Sequence, residues 1–137
     1  MNNMKKVLVF GAFDGLHEGH IEFFKQAKEQ GDHVIVVVGR DSTILKTKGK
    51  PAKFNEQERL AKVKECQYVD EARLGNEGNN PYKVIEEVKP DIICLGYDQT
   101  HFTEKLEAKI KELGLTINVV RLKPYKPEIY KSSILNK

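Results

Sequence analysis

Two short runs of apolar residues, Lys6-Val-Leu-Val-Phe10 and His33-Val-Ile-Val-Val-Val38, each run into a glycine, and a stretch of helical periodicity lies between them. Runs this short, rich in β-formers and without polar alternation, read as strands buried on both faces. Between them, Ile21, Phe23, Phe24 and Ala27 recur at helical spacing from Gly19 to Gln30, and Gly31 follows as a stop. Strand, helix, strand is the unit from which parallel sheets with helices on both faces are built.

The rest of the chain repeats the alternation. A basic loop is expected from Gly39 to about Phe54. Asn55, with Glu58 three residues on, is a capping box that opens a helix carrying Leu60, Ala61 and Val63. A weak strand is expected at Glu71 to Leu74, then a turn-rich loop from Gly75 to Asn80, and Asn80-Pro81 starts a helix through Val88. Pro90 to Gly96 reads as a third strong strand. Thr103 caps a helix with the stripe Leu106, Ile110 and Leu113, Leu115 to Leu122 is the last strand, and one more helical turn is expected from Ser132. In such α/β sheets ligands bind outside the carboxyl ends of the strands, here after Phe10, Gly39, Leu95 and Leu122.

A length of 137 residues suits one domain, residues 1–137. The longest apolar run, Val34 to Val38, is too short to span a bilayer, and only four apolar residues separate Lys6 from Gly11, too few for a signal-peptide core. The expectation is a soluble, cytoplasmic protein with no membrane partner. Cys66 and Cys94 form no metal or redox spacing and are expected to be small buried hydrophobes. The net charge of +3 is too weak to imply nucleic acid, and no basic stripe with stacking aromatics points to it. Its distribution is uneven. Arg40 to Lys64 holds eight basic residues against three acidic ones, and Arg121 to Lys137 five against one. Such segments either gather cations around a small anion such as a polyphosphate or are solvated surface; charge alone does not choose.

The first strand leads into Gly11-Ala-Phe-Asp-Gly-Leu-His-Glu-Gly-His20. Gly11 turns the chain sharply, and Gly19 lets a phosphate approach backbone at a helix start, where free N–H groups and the dipole favour an anion. His17 and His20, three apart, can face one pocket and donate hydrogen bonds to oxygens that gain charge in a displacement. Two zinc ligands, or structural histidines, are the competing readings; no third ligand lies nearby in sequence. The pattern is not the dinucleotide fingerprint G-x-G-x-x-G.

This segment resembles the signature of the cytidylyltransferase-like nucleotidyltransferases, which include glycerol-3-phosphate cytidylyltransferase, phosphopantetheine adenylyltransferase and the archaeal-type FAD synthetases. The resemblance runs over nearly the whole chain and is strongest to the FAD synthetases. It is carried further by Arg40-Asp-Ser-Thr43, Asn55-Glu-Gln-Glu-Arg59, Lys89-Pro-Asp-Ile-Ile-Cys-Leu-Gly-Tyr-Asp-Gln99, and Tyr125 with Ser132-Ser133. It implies a Rossmann-like three-layer α/β fold with a five-stranded parallel sheet, often assembled as a homodimer, and transfer of a nucleotidyl group from ATP or CTP to a phosphate.

The family's phosphate-binding backbone falls on Gly11, Ala12 and Phe13, its H-x-G-H on His17, Glu18, Gly19 and His20, and a phosphate-reaching lysine on Lys46, with Lys48 beside it. Base or ribose contacts fall on Asp98 and Tyr125, and triphosphate contacts on Ser132 and Ser133. Catalysis is expected of His17, His20 and Lys46, with Mg²⁺ carried mainly by the triphosphate and no protein metal ligand. Ala12 stands where the family usually has Thr or Ser, Ile134 where it usually has Thr, and the chain stops four residues after Ser133. The implied reaction is AMP transfer from ATP to FMN. Its rivals are a cytidylyltransferase acting on glycerol 3-phosphate or another phosphorylated acceptor, and a nucleotide-binding module without turnover.

Overall fold

The computed structural model describes residues 5–16, 18–75, 81–95 and 103–122. In chain order the elements are β1 (Lys6–Gly11), α1 (Glu18–Gln30), β2 (His33–Val38), α2 (Asp41–Lys48), α3 (Glu56–Lys64), β3 (Glu71–Leu74), α4 (Pro81–Val88), β4 (Ile92–Leu95), α5 (Thr103–Glu112) and β5 (Asn118–Arg121). All five strands form one parallel sheet in the order β3-β2-β1-β4-β5.

The unbroken apolar strands divide their side chains between two cores, as a period of two requires. Val7, Val9, Val34, Val36 and Val38 pack with Phe24 and Ala27 of α1 and Val63 of α3. Leu8, Ile35, Val37, Ile93 and Leu95 pack on the other face with Val84 and Ile85 of α4 and Leu106 and Ile110 of α5. The sheet is therefore covered on both faces, α1 and α3 on one and α4 and α5 on the other. After β3 the chain crosses back to place β4 beside β1, so the two halves wind in opposite directions from the β1–β4 seam. Pairing across that seam ends at Val9 and Cys94, whereas β1 and β2 stay paired to Gly11 and Val38. A crevice at such a reversal is where this fold holds ligands.

Several details differ from the sequence reading. The basic stretch after Gly39 is not all loop, because α2 occupies Asp41–Lys48. Of the apolar residues read onto the helices, Ala61 is exposed and Ile21 is 43% exposed, so neither lies in the core. The fourth strand starts at Ile92 rather than Pro90, and the fifth is shorter than expected at both ends. Cys94 is buried, and burial pushes its thiol up to about 12, so it is a neutral core residue; Cys66 is only half-buried. Among the described residues no helix is long and apolar enough to cross a membrane.

Candidate active site

The motif lies where β1 passes into α1, at the carboxyl edge of the central strand. Gly11 closes β1, and its carbonyl accepts from the Gly39 N–H at 2.9 Å, on the β2 side. The peptide is trans, so the Ala12 N–H of the same planar unit points the opposite way, toward β4 and the crevice. Phe13 then takes a left-handed backbone (φ 52), a conformation costly for a bulky residue. That turn folds its ring back over Gly11, where a Cβ would lie 2.5 Å from the Phe13 Cζ, so position 11 admits only glycine without displacing the ring.

The Phe13 ring is 6% exposed and packs on Phe24, with centroids 5.1 Å apart, and on Phe23 at 6.5 Å. It also meets His20 edge-on at 5.5 Å and 82°. An aromatic contact of that kind holds the half-buried imidazole in the first turn of α1, beside the positive end of a 13-residue helix. Gly15 (φ +89) continues the loop, and the Asp14 carboxylate accepts from the Lys53 N–H (2.8 Å) and the Phe54 N–H (2.9 Å) of the segment before α3.

Gly11, Ala12, Phe13, Glu18, Gly19 and His20 are thus brought together at one strand end. Phe13 contributes more than backbone, since its ring is part of the core. Lys46 stands on α2 and is exposed, on a helix rather than in a loop. That helix begins directly after β2 and is tied to the motif through its first residue, Asp41. His17, Asp98, Tyr125, Ser132 and Ser133 lie outside the described residues.

The tie is Arg59, which the sequence reading placed in a basic segment and in the family-like stretch Asn55-Glu-Gln-Glu-Arg59 without giving it a role. Its side chain is fully buried. Nη1 donates to the carbonyls of Ala12 (3.0 Å) and Gly39, Nε to that of Phe54 (2.9 Å), and Nη2 to Asp41 Oδ1 (2.6 Å). One guanidinium thus joins the loops after β1 and β2 and the chain before α3. A signal for it was present: Arg59 lies four residues before the buried Val63, on the inward face of α3. Beside it, Glu56 accepts the Asp41 N–H at 2.9 Å and lies 3.5 Å from Arg40.

A family model for cytidylyltransferase-like proteins matches residues 8–136. This chain belongs to that family. It is 46% identical over 134 residues to a protein named FAD synthase from Thermoplasma volcanium, covering 98% of this chain and 93% of that one. A FAD synthase from Pyrococcus horikoshii is 41% identical over 126 residues, covering 92% of this chain and 82% of that protein. Among solved structures, the lipopolysaccharide core biosynthesis protein from Thermoplasma volcanium superposes with a TM-score of 0.84 at 47% identity, over 90% of this chain and all of that one. Pantoate-beta-alanine ligase from Francisella tularensis shares the fold, with a TM-score of 0.62 at 16% identity over 99% of this chain and 69% of that one. The family membership and these relatives make the chain a nucleotidyltransferase.

Proposed function

We propose that this nucleotidyltransferase joins AMP from ATP to the phosphate of FMN, giving FAD and pyrophosphate. The observation that carries the reading is a motif whose Gly11–Phe13 and Glu18–His20 stand at the crevice of a parallel sheet, in a chain 40–46% identical to several proteins named FAD synthase. A non-bridging oxygen of the FMN phosphate forms a bond to the α-phosphorus. The bond from that phosphorus to the bridging oxygen breaks, and its electrons leave with pyrophosphate. The chain needs no covalent intermediate; it positions the two phosphates and stabilises charge.

In this reading the N–H groups of Ala12 and Phe13 and the first turn of α1 at Glu18 and Gly19 cradle phosphate oxygens. His17 and His20 donate to the α-phosphate and to the departing pyrophosphate, and Lys46 reaches the triphosphate. Asp98 and Tyr125 contact base or ribose, and Ser132 and Ser133 the triphosphate. Mg²⁺ suits the site as an ion riding on phosphate oxygens, where it neutralises their charge. The carboxylate of the motif loop, Asp14, and that of the first residue of α2, Asp41, already accept from backbone N–H groups and Arg59. The reading also takes a single catalytic domain, a homodimer and the cytoplasm as its setting.

Release of pyrophosphate from ATP or CTP, screened against FMN, glycerol 3-phosphate and other phosphorylated acceptors, tests it. ATP with FMN should be the pair turned over. A preference for CTP with glycerol 3-phosphate moves the chain to the cytidylyltransferase branch, and nucleotide binding with no release under any pairing makes it a binding module.

A further inference from the structure

Arg59 carries an inference beyond the motif residues themselves. A buried cation costs much desolvation energy unless it is paired and hydrogen-bonded. Here four of the five guanidinium N–H donors are used. Three go to main-chain carbonyls, and only one to a carboxylate, Asp41, whose side chain is itself 47% exposed. The fork is thus spent on fixing peptide planes more than on neutralising an acid.

The plane that matters is Ala12–Phe13. Its carbonyl oxygen accepts from Arg59 Nη1 at 3.0 Å, and the peptide is trans. The Phe13 N–H must therefore point away from the guanidinium and out of the buried side of the loop. A cation on the carbonyl also draws electron density from the amide, making that N–H a stronger donor, as hydrogen bonds in series polarise one another. The turn at Phe13 is held in a left-handed conformation that its own side chain disfavours, so the peptide needs an outside constraint. Gly39 shares the same nitrogen, which locks the turn after β2 to the same origin.

We propose that Arg59 is a positioning residue for phosphate binding: from behind the loop it orients and polarises the Ala12–Phe13 peptide so that the Phe13 N–H meets a phosphate oxygen of the nucleotide. This rests on the reading of the β1–α1 loop as the phosphate site, and not on the identity of the acceptor. Lysine at position 59 keeps the charge but replaces the rigid fork with a point donor that cannot span three carbonyls and Asp41.

The test uses the full chain and ATP as probe. In the wild type, the Phe13 amide proton should shift downfield in an amide ¹H–¹⁵N correlation spectrum as ATP is added; a Phe13 amide indifferent to ATP overturns the proposal with no variant needed. In Arg59→Lys, ATP affinity should fall about ten- to hundredfold, the range for a charge-assisted contact, with the Phe13 shift lost and FMN affinity, read by flavin fluorescence, unchanged. A purely structural role would lower both affinities together, and that result, or unchanged ATP affinity, also overturns it. Should the wild type bind ATP but turn over no FMN, the acceptor reading fails while the ATP comparison still decides the role of Arg59.

Discussion

The two edges of the sheet are tied in different ways. At the amino edge three aspartates, Asp32, Asp70 and Asp91, stand just before β2, β3 and β4, and each makes the same reciprocal pair with a neighbouring strand. Asp32 accepts from the Lys5 N–H at 3.0 Å and donates its own N–H to the Lys5 carbonyl at 2.9 Å. Asp91 does the same with Lys6, at 2.9 and 2.9 Å, and Asp70 with Val34, at 2.8 and 3.0 Å. Each clasp joins one aspartate to one neighbouring segment, and Lys28 links two of them, donating to the Asp32 carbonyl at 3.0 Å and to the Asp70 carboxylate at 2.7 Å. At the carboxyl edge one buried side chain, Arg59, holds three segments. The difference follows from what each edge must do. In the proposed function the Ala12 and Phe13 N–H groups are kept for a phosphate, and Arg59 grips this edge through its carbonyls from the protein side.

The largest expected effect breaks this comparison most directly. Arg59→Met leaves three main-chain carbonyls without their buried donor, at about 1–3 kcal/mol for each acceptor left unsatisfied. Urea unfolding should show that loss, whereas Asp91→Ala at the other edge should lose about 0.5–1.5 kcal/mol, the worth of one ordinary hydrogen bond. Equal losses at the two edges would erase the distinction between concentrated and distributed ties.

A second test separates holding the loop from using it. His20→Ala removes a donor proposed to act mainly in the transition state, so kcat should fall about 10²–10³-fold. His20 is half-buried and off the Arg59 network, so the unfolding midpoint should move far less than in Arg59→Met. Turnover near that of the wild type would remove the imidazole from the mechanism.

Asp14 gives an intermediate effect. Its carboxylate accepts two N–H groups from an exposed segment, so Asp14→Ala should cost about 1–2 kcal/mol. Because Asp14 and Arg59 both secure the motif loop to the chain around Phe54, the Asp14→Ala and Arg59→Lys losses should not add, as is usual for residues in one network. Additive losses would mean that the carboxyl edge, too, is built of clasps that each join one residue to one segment.

Much of this was legible in the residues. The runs at Val7–Phe10 and Val34–Val38 specify strands buried on both faces, and the Asn55 cap is present as read, with Asn55 Oδ1 accepting from the Glu58 N–H at 2.8 Å. Helix α2 was not legible, because Asp-Ser-Thr-Ile-Leu-Lys-Thr-Lys carries no apolar stripe; among its described side chains only Ile44 is buried. Arg40 supplies no side-chain cap, and the N–H of Asp41 is satisfied instead by Glu56 from fifteen residues on. A cap supplied by tertiary contact leaves no local pattern. At the site, the motif and its place at the strand end were readable from glycine and histidine spacing. The role of Arg59 was not, since a lone arginine in a basic segment reads as surface until the carbonyls that face it are known.

The smallest effect is expected at Asp70, and its sign can be worked out. Burial pushes this carboxyl up, but the hydrogen bond from Lys28 (2.7 Å), that from the Val34 N–H, and the charges of Lys28 and His33 together pull it below the ordinary carboxylate value. A group whose pKa is lowered by folding adds stability that is fully present above its unfolded value, about 3.9, and is lost as pH falls through the folded value. Asn in its place keeps an acceptor for Val34 but no charge for Lys28, and the pair is partly exposed, so Asp70→Asn should cost no more than about 1 kcal/mol at pH 7. The gap between wild type and variant should stay constant from neutral pH down to about 5, then close below about 4. Urea midpoints measured across that range read it directly. A gap that widens in acid would mean that the aspartate is strained rather than stabilised, and the amino edge would then carry a stored cost of its own.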